Sequence, residues 1–363
     1  MKRLITASLM AMTIALTGCG GGGSGSSDTT TNTTFNNIKM CVPATFTANT
    51  FRCATECNAS EYEQDFYSDT ASCQTAGAKW IAEYNRNDTP RTAEQSTAYN
   101  FIDAIRQNVG VSPLKYDSRL EEATRLHELY LGDVASIYNV NMTHYEDNIT
   151  YPSVYYRGNS GTDRANVQGN FWYAGDVISY GEPTPLASIN ALLTAIYHRL
   201  FMLENYLYRV GINSTTKTFA EPQLFGAQLD KIYFLKALST DIGVYPYDGQ
   251  TNVQTTFDNR ETPDPLPNTT ASVGNPISVQ LNDAKVTAPT MVSFRLFYDA
   301  NGTEITDTTI LDQLTDPNGR FTAYEFALFA NAPLTANTAY RAEFQYVDGG
   351  VTKTKVWRFT TGL

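Results

Sequence analysis

Apolar positions recur at helical spacing in the middle of the chain and at alternate positions near its end. Between residues 92 and 109, Ala98, Phe101, Ile102, Ile105 and Val109 mark one face. Thr92 with Gln95 makes a capping box, Gly110 suits the C-terminal end, and Ser112-Pro113 forbids continuation, so this stretch is predicted to be a helix. A second helix is predicted to start near Asp117-Ser118, with Leu120, Ala123, His127, Tyr130, Leu131 and Val134 on one stripe. From Asn139 to Tyr180 the chain is polar, rich in Tyr and Gly, and without helical period, which reads as loop. A third helix is predicted from about Leu186 to Leu203, with strands in 207–213 and 223–237.

Past Gly243 the pattern changes. Pro246, Asp248-Gly249, Pro263, Pro265 and Pro267 read as a stiff joining segment. From about Ile277 the period is two: Val292, Phe294, Leu296 and Tyr298 alternate before Asn301-Gly302. Tyr340, Ala342, Phe344 and Tyr346 alternate again before Asp348-Gly349, and Trp357 and Phe359 follow. Several short strands in so short a span predict a β-sandwich. Leu334 to Tyr340, with Trp357-Arg358-Phe359-Thr360-Thr361, resembles the last strands of bacterial Ig-like or fibronectin-type modules.

The N-terminus reads as an address. Lys2 and Arg3 precede an apolar run, Leu4 to Leu16, too short to span a bilayer, as in a secretion signal. The run closes on Leu16-Thr17-Gly18-Cys19, which resembles a bacterial lipobox. That resemblance implies cleavage before Cys19 and lipid attachment there. With Gly20 rather than Asp next, it also implies an outer-membrane destination where the cell has one, on the periplasmic or the surface face. Residues 20–37 are Gly, Ser, Thr and Asn-rich and read as a tether. The remaining cysteines, Cys41, Cys53, Cys57 and Cys73, are an even set crowded into one segment of an exported chain, which predicts two disulfides in one of three connectivities. Gaps of eleven, three and fifteen residues lack the two close pairs of a zinc ribbon.

Charge removes one class of function. With 26 basic against 37 acidic side chains the net charge is −11, and no basic face is available for nucleic acid. At 42% hydrophobic and 17% charged, the 363 residues can bury a core and are enough for two domains.

There are 3 histidines. His127 sits on an apolar stripe and reads as a core histidine with no part in a cleft. His198 points away from the leucines and isoleucines of the third helix, among Ala187, Ala191 and Ala195, whose small side chains leave room for a cavity. His144 lies in Thr143-His144-Tyr145-Glu146-Asp147, a loop imidazole beside carboxylates that could ligate a metal or act as a base.

Taken in order, residues 98–212 resemble a CAP domain (the SCP/PR-1 superfamily) in its bacterial branch. Phe101 to Leu114, Ala123 with His127, His144-Tyr145-Glu146, Thr162-x-Arg164-Ala165 with Gly169, Gly175-Asp176-Val177-Ile178, Tyr197-His198-Arg199 and Val210-Gly211 carry the resemblance. It implies an α-β-α sandwich around a cleft lined by histidine and acidic side chains, where some members bind divalent cations. The cleft residues so implied are His144, Asp176 and His198 with Glu146 beside them, and His144 and His198 would hold zinc or a similar ion. Asp176 stands where the family usually has Glu, and no later histidine completes a two-His, two-Glu set.

The fold class expected is α+β, a CAP-type α-β-α sandwich followed by a small all-β sandwich. Six segments result: a signal peptide (1–18), a lipid-anchored tether (19–40), a Cys-rich segment (41–90), the CAP domain (91–243), a Pro-rich linker (244–275) and the β-sandwich (276–363). No Gly-x-Ser-x-Gly elbow, Walker loop, His-Glu-x-x-His or dinucleotide fingerprint is present. Two function classes follow. One is a cell-envelope binding module for a small ligand, a divalent ion or an envelope or extracellular partner, held to the membrane by its lipid alone. The other is a hydrolase using an ion on His144 and His198 to activate water.

Overall fold

A computed structural model describes residues 38–43, 50–139, 143–169, 171, 173–179, 181–213, 223–227, 236, 238–258 and 260–363. Cys19, with the leader and the tether expected around it up to residue 37, lies outside the described residues; residues 38–40, expected as the tether's end, are strand instead. No helix among the described residues is long and apolar enough to cross a membrane.

The Cys-rich segment is a three-stranded antiparallel sheet with a helix against it. Strand β1 (Ile38–Pro43) lies between β2 (Arg52–Ala54) and β3 (Glu61–Tyr67). Helix α1 (Thr70–Asn85) begins where the Asp69 side chain accepts from the Ser72 backbone N–H at 2.7 Å. Disulfides join Cys41 to Cys57 and Cys53 to Cys73, the second tying the sheet to α1. All four thiols are thus paired, in one of the three connectivities parity allowed.

The next layer system is α2 (Ala93–Val109), β4 (Lys115–Tyr116), α3 (Ser118–Tyr138), α4 (Gly161–Gln168), β5 (Tyr173–Val177), α5 (Pro185–Thr194), α6 (Ile196–Met202), β6 (Arg209–Ile212) and β7 (Gln223–Ala227). The sheet runs β4-β6-β7-β5, with β4 and β6 parallel and the other pairs antiparallel. Strand alternation sorts the layers. Val210 and Ile212 join a core with Ala98, Ile102 and Ile105 of α2 and Ile189, Leu192 and Leu193 of α5. Gly211 faces the other way, where α3 presses so close that a Cβ would lie 2.0 Å from the Glu121 nitrogen. Helices therefore cover both faces of β6.

Two expectations change here. The stretch 139–180 contains a helix and a strand, α4 and β5. The helix expected from 186 to 203 is broken at Ala195, whose ψ of 115° is extended. Its apolar stripe serves two cores: Ile189, Leu192 and Leu193 face α2, whereas Ile196 and Leu200 face Phe257, Leu266, Val273, Phe321 and Phe329.

The C-terminal strands are β8 (Ile242–Tyr245), β9 (Gln250–Val253), β10 (Thr256–Phe257), β11 (Val273–Gly274), β12 (Ile277–Leu281), β13 (Thr290–Tyr298), β14 (Glu304–Ile305), β15 (Thr308–Leu311), β16 (Glu325–Ala330), β17 (Ala339–Asp348) and β18 (Val351–Thr361). They make sheets β15-β16-β12-β8 and β14-β13-β17-β18-β9 and the pair β10-β11. Between the two larger sheets lie Val279, Phe326 and Leu328 against Phe294, Leu296, Phe344 and Trp357. Residues 244–275, read as a joining segment, thus carry strands of both sheets. Val292 also departs from its expected side. A bulge between Met291 and Ser293 leaves it 52% exposed and packs Met291 inward instead.

Candidate functional site

Two imidazoles meet in a cleft, each held from behind by a carboxylate. His144 comes from the segment after α3, and its Nδ1 lies 3.0 Å from Asp176 Oδ2 on β5. His198 comes from α6, and its Nδ1 lies 2.7 Å from Glu261 Oε1, which also accepts from the His198 backbone N–H at 3.0 Å. The ring centroids are 6.1 Å apart at an interplanar angle of 38°. An acceptor facing Nδ1 makes that nitrogen the donor and leaves the lone pair on Nε2. Among the described residues neither Nε2 has a hydrogen-bond partner.

Asp176 is 5% exposed at its side chain and paired again on its other oxygen, which accepts from Arg164 Nη2 at 3.1 Å. Burial acts to raise its pKa, but the His144 hydrogen bond and the Arg164 charge outweigh that and hold it below the ordinary carboxylate value. Arg164, fully buried on α4, also donates to the His144 carbonyl at 3.1 Å, so it sets both the backbone of the loop and the charge behind the ring. Gly161 lets β5 come close: a Cβ there would stand 2.8 Å from the Ala174 carbonyl.

Glu146 stands elsewhere than expected. It is fully buried, accepts from the Arg157 backbone N–H at 2.7 Å, and pairs with His127 Nδ1 at 2.9 Å. The extended loop turns it into the core while His144 faces out. His127 is buried as expected, with burial pushing its pKa below the ordinary value despite Glu146. It nevertheless touches the site from beneath, its Nε2 3.8 Å from Asp176 Oδ2.

The second acid of the cleft is Glu261, which the sequence reading left inside the joining segment. Its side chain is fully buried, and its Oε2 has no hydrogen-bond partner among the described residues. The helix that it steadies is gripped along its length from the C-terminal half. The Tyr197 hydroxyl donates to Asp316 and accepts from Asn318 Nδ2 at 2.9 Å. Arg199, fully buried, reaches the Asn275 side chain at 2.6 Å and the Pro276 carbonyl, and lies over the Tyr245 ring. The Leu200 carbonyl accepts from Gln280 Nε2 at 2.8 Å.

The cleft has two lobes that share His144 and His198. One, of about 540 Å³, is lined by Tyr145, Tyr173, Phe201, Glu204 and Arg320 among others. The other, of about 580 Å³, is lined by Ala191, Ala195, Arg260 and Glu261 among others. Of the three alanines grouped with His198, Ala191 and Ala195 border this lobe and Ala187 is not among its lining.

By chemistry, two imidazole nitrogens are donors of the kind a divalent ion takes. Two Nε2 lone pairs with carboxylate-fixed Nδ1–H groups are the arrangement that orients metal-binding histidines. Among the described residues, the group of three His, Cys, Asp or Glu donors lying mutually within 4.8 Å is Cys41, Cys57 and Glu61, whose sulfurs are in a disulfide; the two histidines belong to no such group. Asp176 and Glu261 buttress the rings through Nδ1.

No family model matches the chain, and no curated protein does. Among solved structures it is similar to an outer surface protein from Borrelia burgdorferi, at 17% identity and a TM-score of 0.31, over 39% of this chain and 96% of that one. It is also similar to an extracellular protein containing an SCP domain from Bacillus anthracis, at 16% identity and a TM-score of 0.30, over 39% of this chain and 45% of that one. These likenesses are faint, and the site stands on its own geometry.

Proposed function

We propose that this chain is an exported, lipid-anchored binding protein of the CAP type, and that the centre of its cleft holds a divalent ion, zinc or similar, between Nε2 of His144 and Nε2 of His198. The observation that carries the reading is the facing pair of carboxylate-backed imidazoles, 6.1 Å between ring centroids, with both outer nitrogens free among the described residues. The order of the CAP-like motifs and the helices on both faces of β6 support the family. The disulfides and the lipobox-like Cys19 support a cell-envelope location.

Bound there, an ion would supply positive charge and open coordination positions for a ligand's oxygen or nitrogen. The chain's own part is to fix both rings, to exclude their alternative tautomers, and to wall the ligand with the two lobes. The hydrolase alternative gains less support, because the carboxylates nearest the rings, Asp176 and Glu261, are occupied in holding them rather than placed to take a proton from water.

Zinc titration by calorimetry on the mature protein tests the proposal. We expect about one ion per chain at pH 7.5, lost in His144→Ala and in His198→Ala. Absence of binding by the unaltered protein at pH 7.5 refutes the ion; binding that survives both substitutions refutes its place.

A further inference from the structure

Among the described residues, every arginine but two holds a carboxylate, a carbonyl or an aromatic face. The exceptions are Arg260 and Arg320, both exposed, and they line the two lobes of the cleft, one each. In a chain with 37 acidic against 26 basic side chains, pairing is the easy outcome for a guanidinium. Two with no such partner among the described residues, on either side of the imidazoles, are placed to meet a ligand.

Arg320 has the better-built surroundings. It sits on the turn between β15 and β16, and that turn is fixed by one carboxylate. Asp316, 9% exposed, accepts from the backbone N–H of Asn318 at 3.1 Å, of Phe321 at 3.0 Å and of Arg320, and from the Tyr197 hydroxyl. Asn318 completes the attachment by donating to the Asp264 carbonyl at 2.6 Å. Because Tyr197 precedes His198, the same contacts place the turn beside the imidazole pair.

The other charges of this lobe are compensated or suppressed. Asp176 faces Arg164 and His144. Burial, with Glu325 nearby, pushes Glu204 up to about 8, and burial raises Glu325 as well. Tyr145, Tyr173, Tyr197 and Phe201 supply flat surface along the wall.

We propose that Arg320 is an anion-recognising subsite of the cleft, taking the carboxylate or phosphate of a ligand whose flat portion lies against the tyrosines. It rests on the reading of the cleft as a binding site, though not on the ion. It also gives the β-sandwich a part in specificity, since Arg320 is delivered from it.

The test uses the mature protein in EDTA and three small probes followed by ligand-observed NMR: phenyl phosphate, benzoate and the neutral benzyl alcohol. We expect one or both anions to bind about tenfold more tightly than the alcohol, from a charge-assisted contact, and the better anion identifies the group. Arg320→Ala should abolish that preference and Arg320→Lys, which keeps the charge and loses the fork, should retain part of it. Arg358→Ala, which removes one surface charge paired with Asp299, should leave it unchanged. No preference in the unaltered protein, or a preference that survives Arg320→Ala, overturns the subsite. Zinc titration of Arg320→Ala reads the imidazole pair separately, so failure of the ion and failure of the subsite are distinct results.

Discussion

Replacing Glu204 by Gln should shift the stability balance toward the variant as pH rises. Glu204 follows α6 and lines both the cleft and a neighbouring cavity of about 440 Å³ that it shares with Glu325. Its Oε2 is buried without a hydrogen-bond partner among the described residues. Burial is the main cause that lifts its pKa from 4.5 to about 8, with Glu325 adding to it and a Tyr206 hydrogen bond opposing it. Between these two values the folded protein keeps a proton that the unfolded chain has released, so this group favours folding fully below 4.5 and progressively less as pH rises through 8. The whole shift corresponds to a ceiling of about 5 kcal/mol. Adjacent cavities let the charge relax in a higher effective dielectric, and about 2 kcal/mol is the expected part. Gln keeps the acceptor for Tyr206 but brings an unpaired amide N–H costing about 1 kcal/mol, equal at every pH. The informative quantity is therefore a slope. Urea unfolding at pH 5 and at pH 8 should show the stability difference, variant minus parent, growing by about 2 kcal/mol in favour of Gln. A difference that stays flat between the two pH values refutes the argument, whatever its sign.

Two further outcomes follow from the fold. Gly211→Ala should cost more than about 3 kcal/mol or prevent folding, because its Cβ would stand 2.0 Å from the Glu121 nitrogen and 2.2 Å from the Leu120 carbonyl carbon, backbone that cannot step aside; a chain that melts within a degree or two of the parent would show that α3 does not press on β6 as described. Cys41→Ser with Cys57→Ser opens a link spanning 16 residues and should lower stability by about 3 kcal/mol in the chain-entropy account, and unchanged urea midpoints would count against that link.

Sequence reading succeeded where one element answers to one neighbour. Helix α2 shows its Thr92–Gln95 capping box, its Gly110 end and its apolar face as expected, since all three are local. The α5–α6 break was hidden because no Gly or Pro marks Ala195 and the apolar stripe runs on unbroken, although its two halves face different cores. Helix α4 had a legible signal, Ser160 with Asp163, whose reciprocal capping bonds are present. In the cleft, His144, Asp176 and His198 are brought together, but Glu146 turns inward. Glu261 could not be found from pattern: it lies 63 residues beyond His198, among prolines, and its role exists only through a contact that no periodicity encodes. Strand β8 was obscured by Pro246 directly after it, and the bulge at Met291–Ser293 inverted an alternation that looked regular.

The grip on α6 has a consequence for the order in which this protein comes into being. Tyr197, His198, Arg199 and Leu200 take partners from residues 261, 275, 276, 280, 316 and 318. A chain made from its N-terminus can close the core of α2, α5 and β6 before any of those partners exists. His144 finds Asp176 at that stage, while His198 still waits on a helix with nothing to orient it. The surroundings of His198 are thus completed only after residue 318 has been made, later than those of His144. Chains cut short before residue 261 carry all three histidines but lack the carboxylate behind His198.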